Sequence, residues 1–384
     1  MKFDAVIIGG GAAGLFCAAT AARRGRKILV LEHNSQVGRK ILISGGGRCN
    51  FTNKNVRSEN FISENPHFCK SALARYTSAD FIELVKKHKI KFYEKKLGQL
   101  FCKDRSNEII QMLLSECRSG SVKILTDCSA GKITKKELFE IETNKGRFAA
   151  KNLVIATGGM SFPKIGASDF GYKIAGQFGI GLTEIRPSLV PLRFEREKFS
   201  KLSGVSVDSE VKFENAVFRE NILFTHKGLS GPAILQISNY WRKNKPISIN
   251  LMPENNLYDV LNSAKSKQSI KNFLGKFLPN RVAEEFSKRY FPDERISEIS
   301  KKQLIQISEQ INNWQVKCDE TEGWHKAEVT LGGIDTNEIS SQTMEVKKVS
   351  GLYFIGEVLD VTGWLGGYNF QWAWSSGFVC GQGI

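Results

Sequence analysis

Long apolar runs are missing from the sequence, which contains no stretch of about eighteen consecutive apolar residues of the kind that spans a membrane. The apolar segment at residues 5–8 follows one lysine and one aspartate and leads into glycines, unlike the core of a secretory signal. The eight cysteines form no Cys-x-x-Cys pair and no Cys/His quartet at zinc spacing, so we expect no bound metal and no iron–sulfur cluster. These absences favour a cytoplasmic protein that does not enter a membrane.

Acidic residues are in the minority. The 384 residues include 55 Lys and Arg but only 39 Asp and Glu, which gives a formal net charge of +16. The excess is uneven, because residues 1–110 contain 20 basic and 9 acidic residues, whereas residues 317–384 contain 4 and 9. Such a charge is either a solvated surface or the footprint of a polyanionic partner, and composition leaves both readings open.

The first part of the chain has the pattern of a βαβ unit. An apolar strand at residues 3–8 precedes the glycine-rich residues 9–14, and an alanine-rich helix follows at residues 15–24. A second apolar strand at residues 27–31 ends at Glu32. This order predicts the opening of a parallel sheet of the Rossmann type.

The glycine spacing Gly9-x-Gly11-x-x-Gly14 is typical of a dinucleotide-binding turn when it lies between a strand and a helix. Gly9 permits the tight turn, Gly11 lets a pyrophosphate approach the backbone, and Gly14 lets the helix pack closely on the strand. The helix N-terminus then faces the phosphates. The Glu32 carboxylate can accept hydrogen bonds from ribose hydroxyls and disfavours a 2′-phosphate, but this motif alone does not separate FAD from NAD.

Two further segments combine glycine with polar and aromatic residues. Residues 38–53 place Gly45-Gly46-Gly47 among polar side chains, which gives a backbone able to lie flat against a ligand. Residues 356–371 follow a strand-like segment and have the same composition. With residues 155–159 and 224–236, these segments resemble those of the bacterial aminoacetone-oxidase-like FAD-binding flavoproteins, along the whole chain.

That family is similar to the wider flavoproteins with two dinucleotide-binding domains, and it implies an α/β fold. We expect a discontinuous FAD-binding Rossmann-type domain interrupted by a β-rich, barrel-like domain and a small helical module. Alternating apolar residues and helical spacing in the middle of the chain agree with such an insertion. The expected boundaries are 1–190 with 330–384, 191–255 with 317–329, and 256–316, respectively.

The resemblance also implies which residues contact FAD. The ADP half would be held by Gly9, Gly11, Ala12, Ala13, Gly14 and Glu32, while Gly356 and Glu357 would lie near the pyrophosphate and ribityl chain. The other implied contacts, several of them lining the isoalloxazine, are Arg39, Lys40, Ser44, Gly45, Gly46, Arg48, Cys49, Asn50, Thr157, Gly158, Gly159, Gly366, Gly367, Asn369 and Phe370. A second Gly-x-Gly-x-x-Gly is absent from the middle of the sequence, so NAD(P)H would dock only transiently as a reductant.

The resemblance implies three activities: amine oxidation, reduction of conjugated enones in steroid acids, and dihydrouridine formation in ribosomal RNA. The last two share hydride transfer from reduced flavin to a conjugated C=C bond. The basic charge makes uridine in ribosomal RNA the favoured substrate, because RNA rewards many phosphate contacts. The alternatives are a small-molecule flavoenzyme, either an amine oxidase or an enone reductase, and a non-catalytic FAD-containing RNA-binding protein.

Three residues are candidates for catalysis. Arg48 could stabilise the developing enolate, as could backbone N–H groups of the glycine-rich segments. Cys49 could donate the proton if the neighbouring Arg48 lowers the pKa of its thiol, or it could pack beside the cofactor. His226, in a turn rich in Gly, Ser and Pro, could serve as the acid or as a structural histidine.

Aromatic residues recur near the C-terminus at even-numbered positions. This run comprises Trp364, Tyr368, Phe370, Trp372 and Trp374. The alternation predicts one face of a strand or a packed loop, and a stacking wall for a flavin or a base is the other reading.

Overall fold

Two units make up the chain in the computed structural model, which describes residues 2–194, 198–264, 266–291 and 294–384. The first unit combines Met1–Arg186 with Val329–Ile384, and the second comprises Pro187–Glu328. None of the helices in the described ranges is both long and apolar enough to cross a bilayer. The three-part division expected from the sequence, with a separate helical module, stays a prediction.

Both units contain strands and helices. The strands are β1 (Lys2–Ile8), β2 (Ile28–Leu31), β3 (Asn50–Asn53), β4 (Phe61–Ile62), β5 (Phe92–Glu94), β6 (Gln99–Cys102), β7 (Lys123–Leu125), β8 (Ala130–Lys135), β9 (Phe139–Thr143), β10 (Gly146–Ile155), β11 (Arg186–Ser188), β12 (Leu192–Arg193), β13 (Ser206–Phe213), β14 (Ala216–Phe224), β15 (Gly228–Ser230), β16 (Pro246–Asn250), β17 (Trp314–Lys317), β18 (Glu320–Thr321), β19 (Val329–Leu331), β20 (Leu352–Phe354) and β21 (Thr362–Gly363). The α-helices are α1 (Ala12–Ala22), α2 (Arg39–Ile43), α3 (Phe68–Arg75), α4 (Ser78–Lys87), α5 (Asn107–Ser119), α6 (Phe170–Gln177), α7 (Pro232–Ser238), α8 (Leu257–Ala264), α9 (Ile270–Leu274), α10 (Asn280–Tyr290), α11 (Lys301–Asn312) and α12 (Tyr368–Gly383).

A parallel sheet forms the centre of the first unit. Its strands pair in the order β7-β2-β1-β10, and β20 adds to the far side of β10. Every residue of β2 is buried, as expected for a strand that helices cover on both faces. The sheet therefore has the Rossmann arrangement that the βαβ pattern predicts, and the carboxyl ends of its strands meet along one edge.

The long strand β10 joins two kinds of pairing on one side. Its first half, Gly146–Ala150, pairs antiparallel with β9, while Leu153–Ile155 pairs parallel with β20. The C-terminal segment thus returns to the sheet of the first unit, as the sequence predicts.

Helix α12 packs against α1 at very short distance. A Cβ atom on Gly377 would lie 2.7 Å from the backbone oxygen of Ala13, and one on Gly381 would lie 2.8 Å from that of Cys17. Because both glycines lack a side chain, the two helices approach backbone to backbone. The aromatic run of the sequence therefore lies mostly in a helix, and its prediction as a strand face or a packed loop is wrong over α12.

A small antiparallel sheet, in the order β3-β6-β5, supports the segment that follows α2. Asn50 pairs with Phe101, and Phe92 pairs with Cys102.

The second unit has an antiparallel sheet, and in its described residues helix α7 precedes β16 and helices α8 to α11 lie between β16 and β17. The strands pair in the order β17-β16-β13-β14-β15-β12-β18. Along β13 the burial alternates residue by residue, as expected for a strand with one face on the core. Helices α8 to α11 follow β16, and Phe286 of α10 packs edge-on against Trp314 of β17, with ring centroids 5.0 Å apart.

Candidate functional site

The turn after β1 has the geometry that the glycine spacing predicts. Gly9 has a φ of +109°, and a Cβ there would lie 2.4 Å from the backbone oxygen of Ala156. A Cβ on Gly14 would lie 2.0 Å from the oxygen of Gly9. By contrast, a Cβ on Gly11 would meet no atom within 4 Å. Gly9 and Gly14 are thus required by packing, and the space in front of Gly11 is open to a ligand.

The first turn of α1 offers donors to that open space. Gly11 is the N-cap residue, and Ala12, Ala13 and Gly14 form the first turn, whose N–H groups have no partner within the helix. The first turn contains no acidic side chain. A helix start of this kind stabilises a phosphate through its N–H groups and the positive end of its dipole.

The Glu32 carboxylate is held at the end of β2. It is buried, one oxygen accepts the Gly10 N–H at 2.9 Å, and the other accepts the backbone and side-chain N–H groups of Asn34 at 2.8 Å. Arg39 in turn donates to the Asn34 side-chain oxygen at 2.6 Å. Glu32 is therefore fixed beside the glycine turn, with Arg39 acting through Asn34. Its predicted contact with a ribose stays a prediction.

The second glycine segment forms a left-handed loop after α2. Gly45, Gly46 and Gly47 all have positive φ, and a Cβ on Gly46 or Gly47 would meet no atom within 4 Å. Cys102 donates its N–H to the Arg48 oxygen at 2.9 Å, and Ser106 donates to that of Gly47 at 2.8 Å. We call residues 44–49 the glycine loop. It presents bare backbone on one side and is attached to the end of β6 on the other.

The glycine loop and the C-terminal glycines meet through β3. Asn53 donates its side-chain N–H to the Gly366 oxygen at 2.9 Å. The side-chain oxygen of Asn50 accepts the Gly367 N–H at 3.1 Å in the orientation that satisfies all its neighbours. A Cβ on Gly367 would lie 2.4 Å from the oxygen of Thr52. The structure therefore brings together two segments that are more than 300 residues apart and that the resemblance assigns to the same ring.

Two other predicted residues at the start of α12 have structural contacts. The Asn369 side chain accepts the N–H of Gly363 and donates to its oxygen, both at 2.8 Å. The half-buried Phe370 stacks on Trp374, with ring centroids 5.7 Å apart. Asn369 thus fixes the turn before the helix.

A polar network surrounds Glu357, just after β20. Lys40 lies 2.7 Å from one Glu357 oxygen, and the other oxygen accepts the Thr330 N–H at 3.0 Å and the Ser161 hydroxyl at 3.2 Å. Lys40 also donates to Ser161 at 2.5 Å. A Cβ on Gly356 would lie 2.9 Å from the Cβ of Ala13, so this segment is adjacent to the first turn of α1. Sequence reasoning identified Lys40 and Glu357 but missed Ser161 and Thr330, which no motif marks.

The segment after β10 completes this edge of the sheet. A Cβ on Gly159 would lie 2.2 Å from the Thr330 hydroxyl and 2.9 Å from the Glu357 carboxylate. Gly158 has a φ of +71° and faces open space. The Thr157 hydroxyl is buried and lacks a hydrogen-bond partner among the described residues. An unsatisfied hydroxyl beside open backbone fits a site that binds a polar group.

Helix α12 positions two of these segments with buried polar side chains. Trp372 donates its indole N–H to the Gly356 oxygen at 3.0 Å, and Gly356 donates its N–H to the Ser376 hydroxyl at 3.1 Å. Gln371 accepts from the Thr52 hydroxyl at 2.6 Å, and Trp374 donates to the Phe51 oxygen at 2.8 Å. Sequence reasoning missed these contacts. The spacing of Trp372 and Ser376 could have indicated them, because residues four positions apart lie on one face of a helix.

The prediction that Arg48 lowers the pKa of Cys49 is wrong. The Cys49 side chain is fully buried, and this burial raises the pKa of its thiol, although a hydrogen bond with Ser44 opposes the shift. Arg48 is exposed and donates instead to the Tyr93 hydroxyl at 3.3 Å. The thiol therefore stays protonated at neutral pH, and its role as a proton donor stays a prediction.

His226 lies in the second unit, in the exposed turn between β14 and β15. Its catalytic role stays a prediction. In the four described ranges no group of three or more His, Cys, Asp or Glu side chains could hold a metal ion.

The observed contacts fit a dinucleotide with a flat ring system. The open space at Gly11, the free first turn of α1 and the fixed Glu32 suit an ADP group, and the left-handed glycine loop suits a ring. The Gly11 turn and Glu32 follow β1 and β2, and Gly158 and Glu357 follow β10 and β20, at the strand ends where the Rossmann fold binds its ligands.

Comparison with known proteins gives full-length matches. The profile of the family described as HI0933-like protein Rossmann domain matches residues 3–383. The chain is 50% identical over 392 residues to the ribosomal RNA dihydrouridine synthase of Escherichia coli K12, covering 100% of this chain and 98% of that protein. It is 48% identical over 391 residues to the protein of the same name from Haemophilus influenzae, covering 99% and 98%. The 3-dehydro-bile acid delta(4,6)-reductase of Clostridium scindens is 29% identical over 407 residues, covering 98% and 97%.

Proposed function

The chain belongs to the HI0933-like family of proteins with a Rossmann domain, and from this membership we propose that it is an FAD-dependent oxidoreductase that reduces uridine in ribosomal RNA to dihydrouridine. The observation that carries the proposal is the 50% identity, over the whole chain, to a protein named ribosomal RNA dihydrouridine synthase. The bile-acid reductase is more distant at 29% identity, so a steroid substrate is less favoured. The net charge of +16 also supports a polyanionic substrate.

Within this proposal each segment of the site has a task. The first turn of α1 binds the FAD pyrophosphate, and Glu32 binds the adenosine ribose. Glu357, neutralised by Lys40, fixes the backbone beside the ribityl chain. The glycine loop and residues 366–370 would hold the isoalloxazine and shield one side of it from water.

Reduction of uridine adds a hydride at uracil C6 and a proton at C5, and FAD, once bound and reduced, would supply the hydride. NAD(P)H is the reductant that we propose, docking transiently because the sequence contains a single Gly-x-Gly-x-x-Gly. The exposed Arg48 at the end of the glycine loop is our candidate residue, which would stabilise negative charge on a uracil carbonyl oxygen. Cys49 and His226 remain the candidates for the proton. A ribosomal substrate implies a cytoplasmic location.

Deletion of the gene tests the proposal. We expect dihydrouridine to be lost from purified ribosomal RNA of the deletion strain and to return with the wild-type gene, as measured by nucleoside mass spectrometry. Complementation with an Arg48→Ala gene tests whether the chemistry of the protein, and not only its presence, is required for dihydrouridine to return. If dihydrouridine in ribosomal RNA is the same with and without the gene, the proposal is wrong and a small-molecule flavoenzyme becomes the leading function.

Substitution of Glu32 tests its contact with the ribose. We expect Glu32→Gln to weaken FAD binding by about 1–3 kcal/mol, the range for a hydrogen bond to a charged group. Titration of the apoprotein with FAD, followed by flavin fluorescence, measures the change. Glutamine keeps an oxygen for the Gly10 N–H but turns its amide N–H groups toward the Asn34 donors, so thermal melting of the apoprotein is needed to show that the fold persists. Equal FAD affinity in the variant would remove Glu32 from the site.

A further inference from the structure

Positive charge is concentrated next to the glycine loop. Residues 86–105 contain eight Lys or Arg residues and two acidic residues. Within this segment Lys91, Lys95, Lys103 and Arg105 are exposed, and none of them forms an ion pair with any described residue. We call these four residues the basic strip. Four exposed charges that no carboxylate neutralises are available to an external anion.

The basic strip is attached directly to the candidate site. Lys103 donates its backbone N–H to the Lys91 oxygen at 2.8 Å, which holds these two residues side by side at the ends of β6 and β5. One residue earlier, Cys102 donates to the oxygen of Arg48 in the glycine loop. One residue after Arg105, Ser106 donates to the oxygen of Gly47. Single backbone hydrogen bonds of Cys102 and Ser106 therefore connect the segment that carries the strip to the glycine loop.

An aromatic pair lies among these charges. The Tyr93 ring stacks on Phe101 with centroids 5.8 Å apart and an angle of 22° between the rings. Arg48 donates to the Tyr93 hydroxyl at 3.3 Å, and the Lys95 amine lies 5.7 Å from the centre of the Phe101 ring. Tyr93 is only partly buried. Cations beside a partly exposed aromatic ring are the combination that binds phosphates and stacks bases of unpaired RNA.

We propose that the basic strip binds the phosphate backbone of the RNA strand that carries the target uridine, and that Tyr93 stacks on a base of that strand. The inference rests on the proposed function, and it names the surface through which the substrate reaches the site. An anionic lipid surface would also match the charge. Within residues 91–105, however, Leu97 is the large apolar side chain that is strongly exposed, at 61%, and one such residue contributes little to membrane binding.

A triple variant tests the strip. Lys91→Ala, Lys95→Ala and Lys103→Ala remove three charges without breaking an ion pair among the described residues. The matched control is Lys132→Ala, Lys136→Ala and Lys151→Ala, three exposed lysines of the same unit outside the strip. The probe is protein-free ribosomal RNA from the deletion strain, and its affinity is measured over a series of salt concentrations.

We expect the triple variant to reduce the slope of log affinity against log salt by about 2, because each lysine that contacts a phosphate of a single strand contributes about 0.7. The control should keep the wild-type slope. Both proteins should retain FAD, measured by visible absorbance, and should melt at the wild-type temperature. Equal slopes for the triple variant and the wild type, with dihydrouridine still formed, would contradict RNA binding by the basic strip. The proposed function would remain intact.

Failure of the proposed function gives a different result, in which wild-type protein forms no dihydrouridine on this RNA. Vesicles containing anionic lipid provide the third arm. If the wild type sediments with the vesicles, the triple variant does not, and RNA affinity is equal in both, the strip binds membranes and the inference is wrong.

The stacking role of Tyr93 has its own pair of variants. We expect Tyr93→Phe to bind RNA as the wild type does, and Tyr93→Ala to lose about 5- to 150-fold in affinity, the range for one stacked base. Equal RNA affinity for Tyr93→Ala, with its FAD retained, would remove the stacking role.

Discussion

Gly11→Val should fold at wild-type yield and contain no FAD. The protein has no atom within 4 Å of a Cβ at this position, so the added side chain meets no obstacle inside the folded chain. It would instead fill the open space in front of the first turn of α1, where we place the FAD pyrophosphate. Visible absorbance of the purified protein measures the FAD content, and circular dichroism with thermal melting measures the fold.

Gly176→Val is a matched control for this experiment. A Cβ on Gly176 also meets nothing within 4 Å, and this residue lies on the exposed side of α6. Valine costs less than glycine in a helix, so the control should be as stable as the wild type and fully loaded. A yellow Gly11→Val protein that contains FAD would contradict the placement of the cofactor. An unfolded variant would contradict the conclusion that the space in front of Gly11 is open.

Gly377→Val should destabilise the first unit by about 3 kcal/mol, at the upper end of the usual cost of overpacking. A Cβ there would lie 2.7 Å from the backbone oxygen of Ala13, and neither helix backbone can yield without moving α12 from α1. Because Trp372 and Ser376 hold Gly356 from the same helix, FAD affinity should fall together with stability.

Gly383→Val, at the end of the same helix, provides the comparison for Gly377. Its Cβ would lie 3.6 Å from the nearest atom, which is an ordinary contact, so we expect a change within about 0.5 kcal/mol. Urea unfolding of both variants measures the difference. Equal stability of Gly377→Val and the wild type would mean that the close approach of α12 and α1 is not required.

The dinucleotide turn was predictable because its causes are local. Gly9 and Gly14 are needed wherever a strand turns directly into a helix above a phosphate, so spacing alone predicts their geometry. The position of Glu32 at the end of the second strand was predictable from the length of the βαβ unit. The return of the C-terminal segment to the sheet was also predictable, since a short apolar run that ends in glycine is typical of a buried parallel strand.

Helix α12 was mispredicted because burial on all sides removes the usual pattern. Its residues are apolar, small or hydrogen-bonded polar around the whole circumference, so the sequence has no amphipathic period of a helix. The alternating aromatic residues then imitate a strand. The prediction of a lowered pKa for Cys49 was wrong for a related reason. That Arg48 is adjacent in sequence says nothing about where its guanidinium points, and burial of the thiol raises the pKa of Cys49.

The place of β20 in the sheet fixes an order of assembly. Its partner β10 ends at residue 155, almost 200 residues earlier, and the second unit is synthesised in between. During translation one side of β10 is only half paired, and the face of α1 that α12 covers is exposed, until residues 352–383 have been synthesised. The edge of the sheet that carries the candidate site is therefore completed only after most of the chain, including the second unit, has been synthesised.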